Sequence, residues 1–222
     1  MGAKSGRRRE LPHPSLERAE RNRFTARSFF ARLRTSRRER TEAFNPQPAG
    51  VEDFTELNWR RLTAADSGAL AILIAQAEAE ENPPYRTTRN EVEDIFSPAY
   101  RLDCVGGFDE RGALAAYGLV RITTEEPTVT IVTLSGTVHP DLRHRTIGGE
   151  VLRWQIGRAQ DLIADMDPAV PAFAAIHIES GQDDMRDLVE RHGFGVHDEV
   201  VQLRRQLSGP IPEREVPASI CI

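Results

Sequence analysis

The chain has 222 residues, 39% of them hydrophobic, which is enough for one domain with a real core. No stretch approaches the roughly 18 consecutive apolar residues of a membrane span. No apolar segment follows the basic N-terminus as a secretory signal requires, and two cysteines, Cys104 and Cys221, are a poor disulfide framework, so free thiols in a reducing cytoplasm are expected. The net charge of −5 conceals +8 on residues 1–50 and −13 on residues 51–222. An acidic body of that kind does not track a nucleic-acid backbone by itself and suits a cationic or amine substrate.

Residues 1–50 read as a basic appendage. Arginines cluster at Arg7–Arg9, Arg32, Arg34, Arg37, Arg38 and Arg40, while apolar residues are sparse apart from Phe24, Phe29, Phe30 and Leu33. Like-charge blocks rarely fold alone, so the expectation is a disordered extension with at most a transient helix over 15–40. Pro46, Pro48 and Gly50 mark a linker. The body is expected at 51–207, followed by a proline-rich, charged tail at 208–222.

Within the body the pattern tightens. Residues 57–62 read as a short strand. Asp66 can cap a helix whose apolar face uses Leu70, Ile72, Leu73 and Ala77, ending near Asn82 before Pro83 and Pro84. A second short helix spans 88–96. Strands at 101–108, 114–123 and 129–138 are joined by turns at 109–112 and 125–127. A third helix spans 146–165, a strand 171–179, and a fourth helix 182–192, closed by Gly193 as a left-handed cap. Two last strands are read at 194–197 and 200–207. The strand–helix–strand crossover in the middle needs a locally parallel pair, so the class is α/β (α+β) with a mixed sheet and helices on its faces.

The sharpest chemical signal is the run His139-Pro140-Asp141-Leu142-Arg143-His144-Arg145-Thr146-Ile147-Gly148-Gly149. A strand ends, Pro140 stops its ladder, and a basic turn enters an amphipathic helix. The first N–H groups of a helix lack intrahelical partners and carry partial positive charge. Gly148 and Gly149 allow close approach to the backbone, and Arg143 and Arg145 add full charges. These are the parts of a diphosphate site.

This segment resembles the cofactor motif of GNAT-family N-acetyltransferases, a strand followed by Arg/Gln-x-x-Gly-x-Gly/Ala and a helix. Arg143 falls at the first position, Thr146 where the first glycine usually sits, and Gly148 at the last. The arginine-rich turn resembles mycothiol-synthase-like members, and the tail at 210–217 resembles the linker of tandem members, as after a first domain. The resemblance spans residues 55–207, including the Gly193-Phe194 pair after the fourth helix. It implies a mostly antiparallel mixed sheet with helices on both faces and splayed central strands. It implies acetyl-CoA as co-substrate, with Thr137 and Val138 holding the pantetheine arm. The N–H groups of Arg143, His144, Arg145, Thr146, Ile147, Gly148 and Gly149 would hold the diphosphate. Gln182 stands near the place of a frequent family asparagine.

The chain also departs from that family. Thr146 is β-branched where the turn usually carries glycine. Val189 stands where a tyrosine usually protonates the departing thiolate. No acidic residue lies on 129–138, where the general base is common. Nearby substitutes are His139, Ser135 and Glu179; His139 is the best base by its ordinary pKa, and Ser135 could move a proton through water. His177 is expected to face the sheet's other side, and Tyr117 is a further candidate for substrate contact. The function expected is transfer of an acetyl group from acetyl-CoA to a primary amine by direct attack. The alternative is a catalytically degenerate acyl-CoA-binding module. Expected partners are a small-molecule or peptide amine acceptor and, through the basic arm alone, nucleic acid; a homodimer is an allowed assembly and no metal is expected.

Overall fold

A computed structural model of the chain describes residues 23–33, 57–98, 102–126, 128–164 and 166–203. Seven strands form one sheet: β1 (Arg23–Leu33), β2 (Asn58–Arg61), β3 (Leu102–Phe108), β4 (Leu114–Glu126), β5 (Val129–Val138), β6 (Ala172–Glu179) and β7 (Gly195–Leu203). Among the described residues four α-helices accompany them: α1 (Ser67–Glu81), α2 (Arg89–Ile95), α3 (Ile147–Ile163) and α4 (Asp183–Arg191). The order across the sheet is β2-β3-β4-β5-β6-β1-β7. Every neighbouring pair is antiparallel except β5–β6, so the sheet is mixed and mostly antiparallel.

Helices cover both faces, and strand alternation decides which residue meets which helix. Tyr117 and Leu119 of β4 and Cys104 of β3 pack with Leu70 and Leu73 of α1 and Val92 of α2. Val120 and Ile122 of β4 point the other way, with Val132 and Leu134 of β5, against Leu152, Ala159 and Ile163 of α3 and Val189 of α4. Cys104 is a free, buried thiol, and burial first, then the neighbouring Asp103, pushes its pKa up to about 12.

The helix boundaries follow local chemistry. Asn82 takes a left-handed conformation at φ 46° and closes α1, with Pro83 beyond it. Asp66 does not cap α1 through its side chain. Its carboxylate instead takes the Arg60 guanidinium at 2.6 and 2.9 Å and the N–H of Thr63 at 2.9 Å. The Arg60 hydrogen bonds, ahead of that from Thr63, hold its pKa at about 2. Thr88 and Glu91 form a reciprocal capping box at the start of α2. Ile72, read as part of the buried stripe of α1, is 63% exposed, because Leu70, Leu73 and Ala77 already fill the face turned to the sheet.

Two expectations need correction. Residues 1–50 are not wholly an appendage: Arg23–Leu33 is a strand, not a helix, and it lies between β6 and β7, antiparallel to both. Phe29 is fully buried and Leu33 nearly so, both in the main core. Alternation sends Phe29, Ala31 and Leu33 inward and turns Arg32 to solvent, so a high charge density along the segment does not keep it out of the sheet. Second, the two final strands are one, and the break expected near 198 is a register shift in β7 opposite Ser28 and Phe29. Thr146, β-branched, sits in the basic turn with a compatible backbone. It has φ −71°, and the left-handed residue is His144 at φ 60°. The rest of residues 1–50 and the tail at 208–222 lie outside the described residues.

Candidate functional site

β5 and β6 run side by side for a short distance and then part. Their register covers Thr130↔Ala172 to Thr133↔Ala175. Beyond that, β5 continues to Val138 while still paired with β4, up to Ala116↔Val138. β6 continues to Glu179 while paired with β1, up to Ala26↔Glu179. Each arm of the V is therefore held by its outer neighbour, and the gap opens toward the C-terminal ends of both central strands. The crevice outside the carboxyl ends of parallel strands is where such sheets take ligands.

Gln155, which the sequence reading passed over, braces one arm. It lies on α3 and is 4% exposed, and its side-chain amide donates to the carbonyls of Leu119 at 3.0 Å and Ser135 at 2.7 Å. The signal was available as a polar residue inside the buried series Val151, Gln155, Ala159, Ile163.

The basic turn lies at the mouth of the V. His139 follows β5 and caps a short 3-10 helix, Pro140–Leu142, its Nδ1 accepting the Asp141 N–H at 3.3 Å. Arg143 turns back: its Nε donates to the carbonyl of Val138 at 3.3 Å. Thr146 makes no side-chain cap hydrogen bond, so the first N–H groups of α3 are not consumed by that hydroxyl. His144, Arg145 and Thr146 are exposed, whereas Ile147 is 5% exposed and packs with Val151, Leu57 and Ala116. A Cβ at Gly148 or Gly149 would lie 3.5 or 3.9 Å from Leu188 of α4, an ordinary contact, so the protein's own packing does not demand glycine there.

Acidic groups stand across from this turn. Glu81, at the end of α1, accepts from Arg143 at 2.5 Å with one oxygen and from the Gln182 amide at 2.7 Å with the other. Gln182 follows β6 and accepts the Glu179 N–H at 3.0 Å. Glu81 therefore links the ends of β5 and β6 from a third element. Glu78, one turn earlier, accepts from the N–H and hydroxyl of Thr87 at 2.9 and 2.5 Å and so ties down the loop after α1. Glu179 is pushed above the ordinary glutamate range, first by burial and then by the charges of Glu81 and Glu78. Neither Glu78 nor Glu81 was singled out from sequence. The signal was a last helical turn with three acids and no base, an arrangement that opposes the helix dipole.

The other candidates are dispersed. Ser135 lies on β5 and contributes its carbonyl to Gln155. Thr137 and Val138 lie half-buried at the end of β5. Tyr117 is 8% exposed under α1, its phenol pushed upward by burial and then by Cys104 and Glu78. His177 is exposed on the face opposite Ile176 and Ile178 and shares a 3.0 Å hydrogen bond with Ser28. Val189 is fully buried in the main core, and Leu188 is the α4 residue beside the start of α3. A cavity of about 270 Å³ lies beside the V, lined by Arg27, Glu179, Gln182, Arg186 and Glu199 among others. Among the described residues no group of three His, Cys, Asp or Glu side chains could hold a metal ion. No helix among them is long and apolar enough to cross a membrane.

No protein-family model matches the chain, and no curated protein matches it. Solved structures similar to it include the ribosomal-protein-alanine N-acetyltransferase of Brucella melitensis biovar Abortus 2308, with TM-score 0.46 and 16% identity over 61% of this chain and 90% of that one. Another is a GCN5-related N-acetyltransferase from Sphaerobacter thermophilus, with TM-score 0.49 and 21% identity over 62% of this chain and 42% of that one.

Proposed function

We propose that this protein is an N-acyltransferase that moves an acetyl group from acetyl-CoA to a primary amine. The observation that carries the reading is the V between β5 and β6 with a basic turn and a helix start at its mouth. A thioester needs a slot with free strand edge, and the diphosphate needs N–H donors and cations at the end of that slot. Residues 134–138 of β5 offer the edge. Arg143, His144, Arg145, Thr146, Ile147, Gly148 and Gly149 offer the donors, and Gln182 stands on the opposite arm. Acetyl-CoA, when bound, supplies an activated acyl group with a fair leaving thiolate, so catalysis rests chiefly on holding an uncharged amine beside it.

Glu179 is a better candidate base than His139 or Ser135. It ends β6 at the mouth, and its pKa is raised toward the range where a carboxylate accepts a proton usefully. His139 already uses Nδ1 as a cap, and a serine hydroxyl such as that of Ser135 is by itself a weak base. Glu78, Glu81 and Glu179 together favour a cationic amine as acceptor, brought in charged and deprotonated at the site.

A second reading, a catalytically degenerate acyl-CoA-binding module, is favoured by valine at position 189, which supplies no proton where the resembled family carries a tyrosine. One experiment separates the two: thiol release from acetyl-CoA across an amine panel, run beside direct acetyl-CoA binding. Turnover with an amine establishes the first reading, and binding without turnover on any amine establishes the second. Arg143→Met should weaken acetyl-CoA binding by about 1–3 kcal/mol, the loss of a charge-assisted contact. Unchanged affinity in the folded variant would put the ligand elsewhere.

A further inference from the structure

We propose that Glu81 is a clasp on the diphosphate site: its carboxylate bridges Arg143 and Gln182 across the mouth of the V and competes with the ligand's diphosphate for Arg143. The inference rests on the acyl-CoA reading of that turn. Three distant parts of the chain meet here, with α1 supplying the carboxylate and the ends of β5 and β6 supplying its two partners. The carboxylate is an anion seated on a cation and an amide N–H, the same donors a diphosphate would use. Arg143 is also held from behind by the Val138 carbonyl, so its guanidinium stays aimed at the mouth when Glu81 lets go.

The placement of Glu81 is costly for α1 itself. Glu78, Glu80 and Glu81 crowd the negative end of the helix dipole with no basic residue in the last turn. Side-chain exposure of 25% for both Glu81 and Arg143 leaves the pair partly screened, so a ligand of higher charge can displace it. Asn82, in its left-handed conformation, ends the helix directly after Glu81, which leaves the side chain at a terminus where it can swing without unwinding a turn. In the empty protein the clasp joins the two arms. With ligand bound, Arg143 changes partner and the Glu81 carboxylate is released beside Glu78 and Glu179.

The test measures binding of acetyl-CoA and of S-acetyl-pantetheine, which has no diphosphate, by calorimetry on the full chain. Glu81→Gln should tighten acetyl-CoA by about two- to fivefold, the range of a partly exposed ion pair, and leave S-acetyl-pantetheine unchanged. Glu81→Ala should do the same, which keeps the question open to measurement if either variant folds poorly. In an Arg143→Met background Glu81→Gln should have no further effect. Unchanged or weaker acetyl-CoA binding by both Glu81 variants overturns the clasp, as does equal tightening of both ligands. Binding by Arg143→Met equal to the parent overturns instead the assignment of the diphosphate to this turn.

Discussion

Glu179 shows how environment marks a candidate base that composition does not. It is one of 34 acidic residues, and what distinguishes it is burial at the end of β6 with Glu81 and Glu78 nearby. A carboxyl whose pKa is raised on folding contributes stability fully below the unfolded pKa and loses it as pH rises through the raised value. Near neutrality its charge therefore strains the fold. Glu179→Gln should melt at a higher temperature than the parent near pH 7 and show no such gain at pH 3, a comparison that thermal scans can make. For activity the same carboxyl should set the acid limb of kcat/KM. Glu179→Gln should lower kcat/KM by about a hundredfold and abolish that limb. Persistence of the limb would assign the base elsewhere. Val189, which counting back from Gly193-Phe194 selects as the place of the family's tyrosine, packs in the core with Ile176, Ile178 and Phe194.

Among the elements, β1 was the least legible. Its arginines invited a reading of the whole segment as a solvated arm, because charge was counted per segment while burial is decided residue by residue. Phe29, Ala31 and Leu33 at period two were the available signal. Arg27, on the inward-facing register, reaches Glu199 of β7 at 3.2 Å rather than water alone. Phe29→Ala should cost about 3–5 kcal/mol, the usual effect of emptying a fully buried aromatic site, measurable by denaturant unfolding. A cost below about 1 kcal/mol would mean that β1 is not held in the core. Apart from β7, the other strands and the four helices among the described residues were read close to their observed bounds, since caps, prolines and turn residues mark them locally. Asp109 is an example: its carboxylate accepts the N–H groups of Arg111 and Ala113 and shapes the turn that the sequence announces with Gly112.

For the whole molecule, β1 makes the sheet a product of two segments far apart in the chain. β6 and β7 do not pair with each other; each pairs with β1. A chain beginning at residue 51 would leave β7 without its neighbour and open the outer side of β6, exposing the core beneath Phe29 and Leu33. That truncation should lose cooperative unfolding or fail to fold, as thermal melts with near-UV circular dichroism would report. A cooperative melt within a few degrees of the parent would show that the sheet closes without β1. The Arg27–Glu199 pair is one contact between the basic first fifty residues and the acidic remainder.

The sequence by itself determined the class of the fold, the order of elements from β2 to α4, and the basic turn between β5 and α3. These depend on periodicity and on residues such as Pro140, Asn82 and Gly193 acting on their immediate neighbours. Tertiary structure alone decided the rest. It put β1 inside the sheet, joined the last two strands into one, and gave the left-handed position of the basic turn to His144 rather than Thr146. It also brought Glu81, Gln182 and Arg143 together at the mouth of the V. The reason is separation along the chain: the contacts of Glu81 span 62 and 101 residues. No local pattern encodes such pairings, which exist only once the sheet has set the distance between the ends of β5 and β6.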